Sequence, residues 1–460
     1  PIFGGYNRFD HFQSQSPDTK ATGLENIPLD MAEQLREQGF IVLADGKSLF
    51  SKNSPEGKAL HRKLESYTTL SEKQVDLACV DGKAGSFDCN NIDLLAHMPL
   101  SEFSSRPNSA NDIWGHVDLN TGDEYALIGL RNGIAVINVT NPENPKEVGT
   151  ISGLNSTWRD IKVYQYFDSA INAWQAYAYA TVDGTTDYVT SINLNQLPNS
   201  VSLVEKNTVV TKAHNVYITN VDHTLNIALP GLTPSLQLIG SNKFGGAFHS
   251  YSLKTPATLT TLTNDYFGSG YTHDGASLNI TDSRKDSQCN TRSDNCTVFI
   301  DFNEKEMKLW NITDTSATTL LGTGEYNDVA KSNQYVHSGW ATEDKKYILL
   351  HDEFDEKDGG LNSSIADRNN PTQVGQWTGP TRAIDHNGFV RGNRYYMSNY
   401  ERGLTVLDIT DPANPVDIGF FDTYTPSNNA GFNGAWGAYP YLPSGNILVS
   451  DIGSGLYILK

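Results

Sequence analysis

From about residue 91 to the end of the chain, short runs of alternating apolar and polar residues follow one another. Examples are YALIGL, GIAVINV, LTVLDI and GLYIL, and residues typical of turns (Gly, Asn, Asp and Pro) separate them. Alternation with a period of two is typical of antiparallel strands that bury one face. The pattern therefore predicts an all-β fold, and no apolar run approaches the ~20 residues of a membrane-spanning helix.

One longer motif occurs twice. It reads GIAVINVTNPENPKEVG at Gly133–Gly149 and GLTVLDITDPANPVDIG at Gly403–Gly419. A match of this length within one chain indicates that the protein consists of repeats of one structural unit. Seven such units can be recognised by their opening strands, which begin near Ile113, Trp158, Ala213, Thr272, Val336, Asp385 and Asn433.

The spacing of these units suits the blades of a β-propeller, so we predict a seven-bladed β-propeller of four-stranded antiparallel blades at residues 91–460. The last unit ends one strand short. We expect the segment Asn91–Phe103 to supply that strand, because this would close the ring and remove its open edge.

Residues 1–90 differ from the rest and are predicted to form a partly helical N-terminal extension. Helical apolar spacing occurs at Leu29–Phe40 and at residues 55–67. The four cysteines allow three pairings, and their spacing favours Cys79 with Cys89 and Cys289 with Cys296. Two structural disulfides would indicate an oxidising compartment.

Several segments carry a resemblance to a known family. The motifs NDIWG, STWRDIKVY, YTHDG, VHSGWATEDKKYILLHDEFDE and AIDHNGFVRGNRYYMSNYERGLTVLDITD occur in order, within roughly residues 70–460. Together they resemble the choice-of-anchor B family, whose LVIVD-type repeats are understood as propeller strands. The resemblance implies a secreted, extracellular or cell-surface protein and says little about chemistry.

The formal net charge of −19 disfavours nucleic acid as a partner, because phosphate binding needs clustered cations. An extracellular glycan or a surface protein is the expected partner, and self-assembly is possible in addition.

Histidines recur in the openers of four successive units, at His214, His273, His337 and His386. Opening strands line the axial channel of a propeller, so these imidazoles could converge on Zn, Fe or Mn. The alternative is structural: each histidine would tie its strand to the next blade through a hydrogen bond. Recurrence in a repeat protein favours that second role.

An acidic run provides a second candidate metal site, for calcium. Its carboxylates are Asp352, Glu353, Asp355, Glu356 and Asp358, followed by a Gly turn. Calcium prefers six to eight oxygen ligands, although the run departs from the EF-hand pattern. A solvated acidic loop explains the run equally well.

Candidates for acid–base catalysis and for binding a uronate are His116, His214, Arg159 and Tyr188, with Arg382, Arg394 and Tyr400 in addition. No nucleophile motif and no nucleotide-binding motif occurs. The leading hypothesis is a binding or structural module, and whether the protein is an enzyme stays open. The alternatives are a metal-assisted lyase or hydrolase acting on acidic glycans, and a subunit of an extracellular assembly.

Overall fold

Strands make up nearly all the regular structure in the described part of this protein. The computed structural model describes residues 43–44, 47–48, 66–262, 269–289, 293–324, 334–358, 362–367 and 373–460. The chain divides into two units, Pro1–Leu70 and Ser71–Lys460. In the first unit, the two-residue strands β1 (Leu43–Ala44) and β2 (Lys47–Ser48) form a hairpin. The predicted helix Leu29–Phe40 and most of the second predicted helix lie outside the described residues.

Four strands precede the first blade of the second unit. They are β3 (Gln74–Leu77), β4 (Lys83–Ala84), β5 (Phe87–Asn90) and β6 (Leu94–Pro99).

Six antiparallel blades then follow, each composed of strands that succeed one another along the chain. The strands of blades 1 to 3 are β7 (Ala110–Val117), β8 (Glu124–Leu130), β9 (Gly133–Asn138), β10 (Lys146–Ser152); β11 (Ile161–Asp168), β12 (Ala173–Ala180), β13 (Val189–Asn193), β14 (Ser202–Asn207); and β15 (Asn215–Thr219), β16 (Val221–Asp222), β17 (Ile227–Ala228), β18 (Ser235–Ile239), β19 (His249–Ser252), β20 (Thr260–Thr261). In blade 3, β16 and β17 form a separate hairpin inserted between β15 and β18.

The strands of blades 4 to 6 are β21 (Asp274–Ile280), β22 (Cys296–Phe302), β23 (Met307–Asn311), β24 (Thr319–Gly324); β25 (Val336–Ala341), β26 (Tyr347–Asp352), β27 (Asn362–Asp367), β28 (Gln373–Thr378); and β29 (Asn387–Arg391), β30 (Arg394–Asn399), β31 (Gly403–Asp408), β32 (Val416–Phe421). Short helices are few among the described residues: a helix at residues 66–71, α1 (Arg284–Ser287), α2 (Asp355–Asp358), and 3₁₀ turns at Leu100–Glu102 and Phe244–Gly246. In the described part of the chain, no helix has the length and apolar character needed to span a membrane.

A composite sheet lies between blades 6 and 1. It contains β33 (Ala435–Tyr439), β34 (Ile447–Asp451) and β35 (Gly455–Leu459), followed by β6 and β3 from the start of the unit. Strand β6 pairs with β35, with Met98 opposite Leu456 and Ala96 opposite Ile458. The first strand of this sheet, β33, packs beside β29 on one side and β7 on the other. The two ends of the unit are thereby joined within one sheet.

This arrangement differs from seven uniform four-stranded blades. Six blades consist of consecutive strands, and the composite sheet has five strands rather than four. Blade 6 is extended by β5 and β4, because β5 pairs with the outer strand β32. Phe87 of β5 is fully buried, and its ring lies 5.3 Å from that of Phe421. Strands β3 to β5 therefore belong to the sheets, and the chain divides at Leu70–Ser71 rather than at residue 90.

Both predicted disulfides, Cys79–Cys89 and Cys289–Cys296, are formed.

Glycines in the opening strands allow close packing between adjacent strands. A Cβ atom at Gly275 would come within 2.3 Å of the Phe299 ring, and one at Gly388 would come equally close to Tyr395. Each of these aromatic rings belongs to the second strand of the same blade. The glycine of the His-x-Gly pattern in these two openers thus has a structural role, because it leaves room for a large buried ring beside the innermost strand.

One end of the axial channel is filled by side chains around the inserted hairpin of blade 3. Trp114 donates its indole N–H to Oδ1 of Asn226 over 3.0 Å, and Asn226 Nδ2 donates to the carbonyl oxygen of Gly115 over 2.9 Å. The hydroxyl of Tyr439 donates to the His223 carbonyl oxygen over 2.6 Å. The ring of Trp340 lies 5.1 Å from the His223 imidazole. We call five of these residues the axial plug: Trp114, His223, Asn226, Trp340 and Tyr439.

The axial plug gives a prediction for stability. Replacing Asn226 with Ala would leave the Trp114 N–H and the Gly115 carbonyl buried without partners, which costs about 1–3 kcal/mol each. We expect Asn226→Ala to lower the free energy of unfolding by about 3 kcal/mol in urea titrations. Asn172→Ala is the matched control, since Asn172 has a similar left-handed φ (52° against 55°) in an exposed turn. Equal losses in the two variants would show that backbone conformation, rather than the plug, sets the effect.

Candidate functional site

The four recurring histidines lie side by side at the channel end opposite to the axial plug. Three of them immediately precede the first strand of their blade, and His337 is the second residue of β25. Successive ring centroids are 4.3 Å apart for His214–His273, 4.4 Å for His273–His337 and 4.7 Å for His337–His386. We call these four residues the histidine row.

Hydrogen bonds at Nδ1 fix the tautomer of three of these rings. His273 donates its Nδ1–H to the carbonyl oxygen of His337 over 3.1 Å, and His386 donates to the carbonyl oxygen of Trp436. His214 donates to Oδ2 of Asp183 over 2.9 Å. When Nδ1 carries the proton, Nε2 of a neutral ring carries a lone pair that can bind a metal.

Burial keeps the inner part of the row neutral. Removal from water lowers the pKa of His386 to about 3 and lowers the pKa of His273 and His337 well below their ordinary value. For Asp183, burial alone would raise the pKa, but the hydrogen bond and charge of His214 outweigh it, and the pKa falls to about 2. An ionised carboxylate therefore lies at one end of the row, and the three inner imidazoles, His273, His337 and His386, are neutral at pH 7.

Glu353 joins the row from the loop after β26. One of its oxygens lies 3.6 Å from Nε2 of His337, and the other lies 3.9 Å from Nε2 of His386. The hydroxyl of Tyr400 donates to Glu353 Oε1 over 2.8 Å. Among the residues that the structure describes, His337, Glu353 and His386 form one group whose potential metal-ligand atoms all lie within 4.8 Å of one another.

Tyr400 has an unusual backbone. Its φ is 29°, in the left-handed region that bulky residues rarely adopt. The side chain is nevertheless buried, with its ring centroid 4.6 Å from that of His386. An uncommon conformation held beside polar side chains is a frequent property of functional sites.

Half-buried aromatic residues surround the histidine row. The ring of Tyr335 stacks on Phe354 at 4.3 Å and lies 5.5 Å from His273. Trp158 lies 6.2 Å from Trp436, which in turn contacts His386. We call the half-buried members of this set the aromatic rim: Trp158, Tyr271, Tyr335, Phe354 and Phe432.

A small polar cavity of about 30 Å³ lies between the histidine row and the plug. The side chains that line it include Asp112, Asp160, Lys162, Asn215 and Asp274. Lys162 Nζ is 2.5 Å from Asp160 Oδ1 and 4.4 Å from the centre of the Trp114 ring. The volume suffices for water or a single ion and excludes a sugar ring.

Residues of the cavity wall also join neighbouring blades. Asp160 Oδ2 accepts the backbone N–H of Val216 over 2.7 Å, and Asn215 Nδ2 donates to the carbonyl oxygen of His273 over 3.1 Å. Ser338 donates its hydroxyl to the carbonyl oxygen of His386 over 2.6 Å. The polar positions that follow the histidines therefore have a structural function.

The structure does not place His116, Arg159 and Tyr188 together with the row. His116 is four residues further along its strand than the cavity residue Asp112, a rise of roughly 13 Å, and it stacks on Tyr125 instead. Arg159 is buried and donates to the carbonyl oxygens of Leu130 and Leu154. Tyr188 is half-buried in blade 2. Arg382 and Arg394 are exposed.

The acidic run does not form a solvated loop, because Asp352, Glu353, Asp355 and Glu356 are all buried. Asp352 accepts the backbone N–H groups of Tyr335 and Phe354. Burial and the neighbouring charges of Asp385 and Asp355 raise the pKa of Glu356 far above its ordinary value. A protonated carboxyl is a poor calcium ligand. The side chain of Asp358 lies outside the described residues.

Comparison with known proteins identifies the repeat. A family model described as the LVIVD repeat matches residues 118–152 and 389–423, which fall on blades 1 and 6. No curated protein matches the chain.

Solved structures resemble the fold at low sequence identity. A Bacteroides uniformis protein, provisionally assigned as a 6-phosphogluconolactonase, has 12% identity and a TM-score of 0.41 over 74% of this chain and 89% of its own. A Bacteroides fragilis protein with the same provisional assignment has 10% identity and a TM-score of 0.43 over 76% and 89%. A chain of the COPII outer coat vertex on membranes has 8% identity and a TM-score of 0.50 over 77% and 84%. At such identities the likeness concerns the fold alone. Together with the strand topology, the matched segments show that the chain is an all-β propeller protein with LVIVD repeats.

Proposed function

We propose that this protein is a secreted or cell-surface β-propeller that binds a divalent transition-metal ion at the mouth of its axial channel. The ligands are His337, Glu353 and His386, and the composite sheet acts as the seventh blade of the ring. The observation that supports this most strongly is the convergence of two neutral imidazoles and one carboxylate within 4.8 Å. The two disulfides are consistent with an oxidising, extracellular location.

The donor set suits a borderline metal. Two imidazoles and a carboxylate are a common protein ligand set for Zn and for Fe(II), and Mn accepts the same donors. The surrounding hydrogen bonds fit this role, since His386 donates its other ring N–H to a carbonyl oxygen and Tyr400 orients Glu353. Such outer contacts fix the orientation of ligands and raise their affinity for the metal.

The biological role that fits best is that of a binding or structural module. Half-buried Trp, Tyr and Phe side chains of the aromatic rim offer faces on which a sugar ring or an apolar side chain can stack. An extracellular glycan or a surface protein is therefore the proposed partner, with the metal at the centre of the contact surface.

Metal binding can be tested directly. After removal of bound ions with a chelator and reconstitution with Zn²⁺, Mn²⁺ or Co²⁺, elemental analysis should find at least one tightly bound ion per chain. We expect Glu353→Gln to weaken binding by at least ~100-fold, because it removes the one anionic ligand of the set. Glu147→Gln, which changes a glutamate in blade 1, should bind like the wild type. Wild-type protein without stoichiometric metal would refute the proposal.

The buried histidines predict acid sensitivity of the metal-free protein. His386 has a pKa of about 3 in the folded chain against an ordinary value of 6.5, so the unfolded chain binds more protons between these two values. The free energy of unfolding therefore decreases as the pH falls from 6.5 toward 3, by up to ~1.4 kcal/mol per pH unit for each such histidine. His386→Gln should remove one such contribution, so the free energy of unfolding should fall less steeply with decreasing pH. Urea unfolding between pH 6 and pH 4 measures this slope, and the expected change corresponds to about one fewer proton taken up on unfolding. An unchanged slope would contradict burial of a neutral His386.

A second candidate function is metal-assisted cleavage of extracellular acidic glycans, either by elimination, as in a lyase, or by hydrolysis. The specific observation in its favour is that three protein ligands leave coordination positions open beside the rim. A metal could neutralise a uronate carboxylate there, while a neighbouring tyrosine or histidine transfers a proton.

This candidate predicts that metal-loaded protein, incubated with uronate-containing polysaccharides, produces new reducing ends or the absorbance of unsaturated uronates. Tyr335→Phe should lower the rate while metal content stays unchanged, since Tyr335 lies on the rim and not in the ligand group. Absence of both products with metal-loaded protein would leave the binding module as the function.

A further inference from the structure

The proposed three-ligand site leaves two ring nitrogens of the histidine row unused, Nε2 of His214 and Nε2 of His273. His214 and His273 each donate Nδ1–H to a neighbouring acceptor. The lone pair available to a metal is therefore on Nε2 of each ring. Within the described part of the chain, no protein group forms a hydrogen bond to either Nε2 atom. Their ring centroids are nonetheless only 4.3 Å apart, beside the first ligand group.

In the observed side-chain conformations, neither His214 nor His273 can bind the first ion together with all three of its ligands. Two donors on one ion are at most about 4.2 Å apart, because each bond is ~2.1 Å long. The group whose donor atoms all lie within 4.8 Å contains His337, Glu353 and His386, and neither His214 nor His273 joins it. At the same time, the His273 ring lies 4.4 Å from that of His337, so the two pairs of donors are adjacent.

We propose that His214 and His273 bind a second divalent ion next to the first, so that the mouth of the channel holds a two-metal centre. This inference rests on the proposed function, because the first ion is the one at His337, Glu353 and His386. Water or an oxyanion of the ligand would fill the remaining coordination positions and bridge the two ions.

The surrounding charges favour a second cation. Asp183 lies 2.9 Å from Nδ1 of His214, in the position of the carboxylate that orients a metal-bound imidazole. Glu353 provides a second negative charge beside the row. Paired ions about 3.5–4 Å apart typically bind a carboxylate or phosphate group between them, which identifies an oxyanion as the ligand class.

The test combines the number of bound ions per chain with a magnetic signal that depends on the distance between two ions. Chelator-treated protein is reconstituted with Mn²⁺, passed through a desalting column, and examined by elemental analysis and electron paramagnetic resonance. We expect two ions per chain and the spectrum of an exchange-coupled pair. His214→Gln should retain one ion and lose the coupling, since His214 is half-buried and its side chain contacts Asp183 and the His273 ring, neither of which is a ligand of the first ion. His273→Gln should behave in the same way.

His249→Gln is the matched control, because His249 is buried in blade 3 away from the row and should keep both ions. Circular dichroism of each variant checks that the propeller is folded. One ion in the wild type that survives in His214→Gln would overturn the second site and leave the proposed function intact. One ion that is lost in His214→Gln would overturn it as well, since all the histidines would then serve a single ion. No bound ion in the wild type would refute both proposals.

Discussion

The pairing of β6 with β35 is the contact on which the rest of the structure depends. Strand β35 is the last of the chain, and without β6 its outer edge would expose unpaired backbone groups beside a fully buried core. The pairing joins residues more than 350 positions apart and fixes β33 between the first strands of blades 6 and 1. Since the histidine row lies at the starts of successive inner strands, its spacing depends on that closure.

The structural role of the histidines is compatible with the proposed metal binding. Nδ1 of His273 donates to a carbonyl oxygen of the following blade and Nδ1 of His386 donates to one of the composite sheet, which is the structural role that recurrence in a repeat suggests. The same bonds place the proton on Nδ1 and leave Nε2 as a metal donor. A glutamine can replace the first role but not the second, so it is a better probe of the chemistry than alanine.

Local patterns predicted a large part of this architecture, and contacts distant in sequence account for the rest. Each of the four openers carries a histidine followed by a polar residue, so the row could be located from the sequence. Strand β5 could not, because its place depends on pairing with β32. The inserted hairpin of blade 3 could not be located either, because each of its strands is only two residues long and its place depends on contacts with Tyr439 and Trp340. The sequence predicts Glu353 as a candidate calcium ligand, whereas the structure places it beside His337 and His386, because the turn that directs it there is a tertiary feature.

The two ends of the channel restrict what can reach the candidate metal site. Tyr439 and Asn226 anchor the plug at one end, and the cavity above it has room only for water or an ion. A larger ligand must therefore keep most of its volume at the aromatic rim and present a small group to Glu353 and the histidines. A carboxylate or phosphate is small enough and binds directly to a divalent ion. The shape of the channel and the chemistry of its donors thus favour the same ligand class, an oxyanion attached to a ring or chain that stacks on the rim.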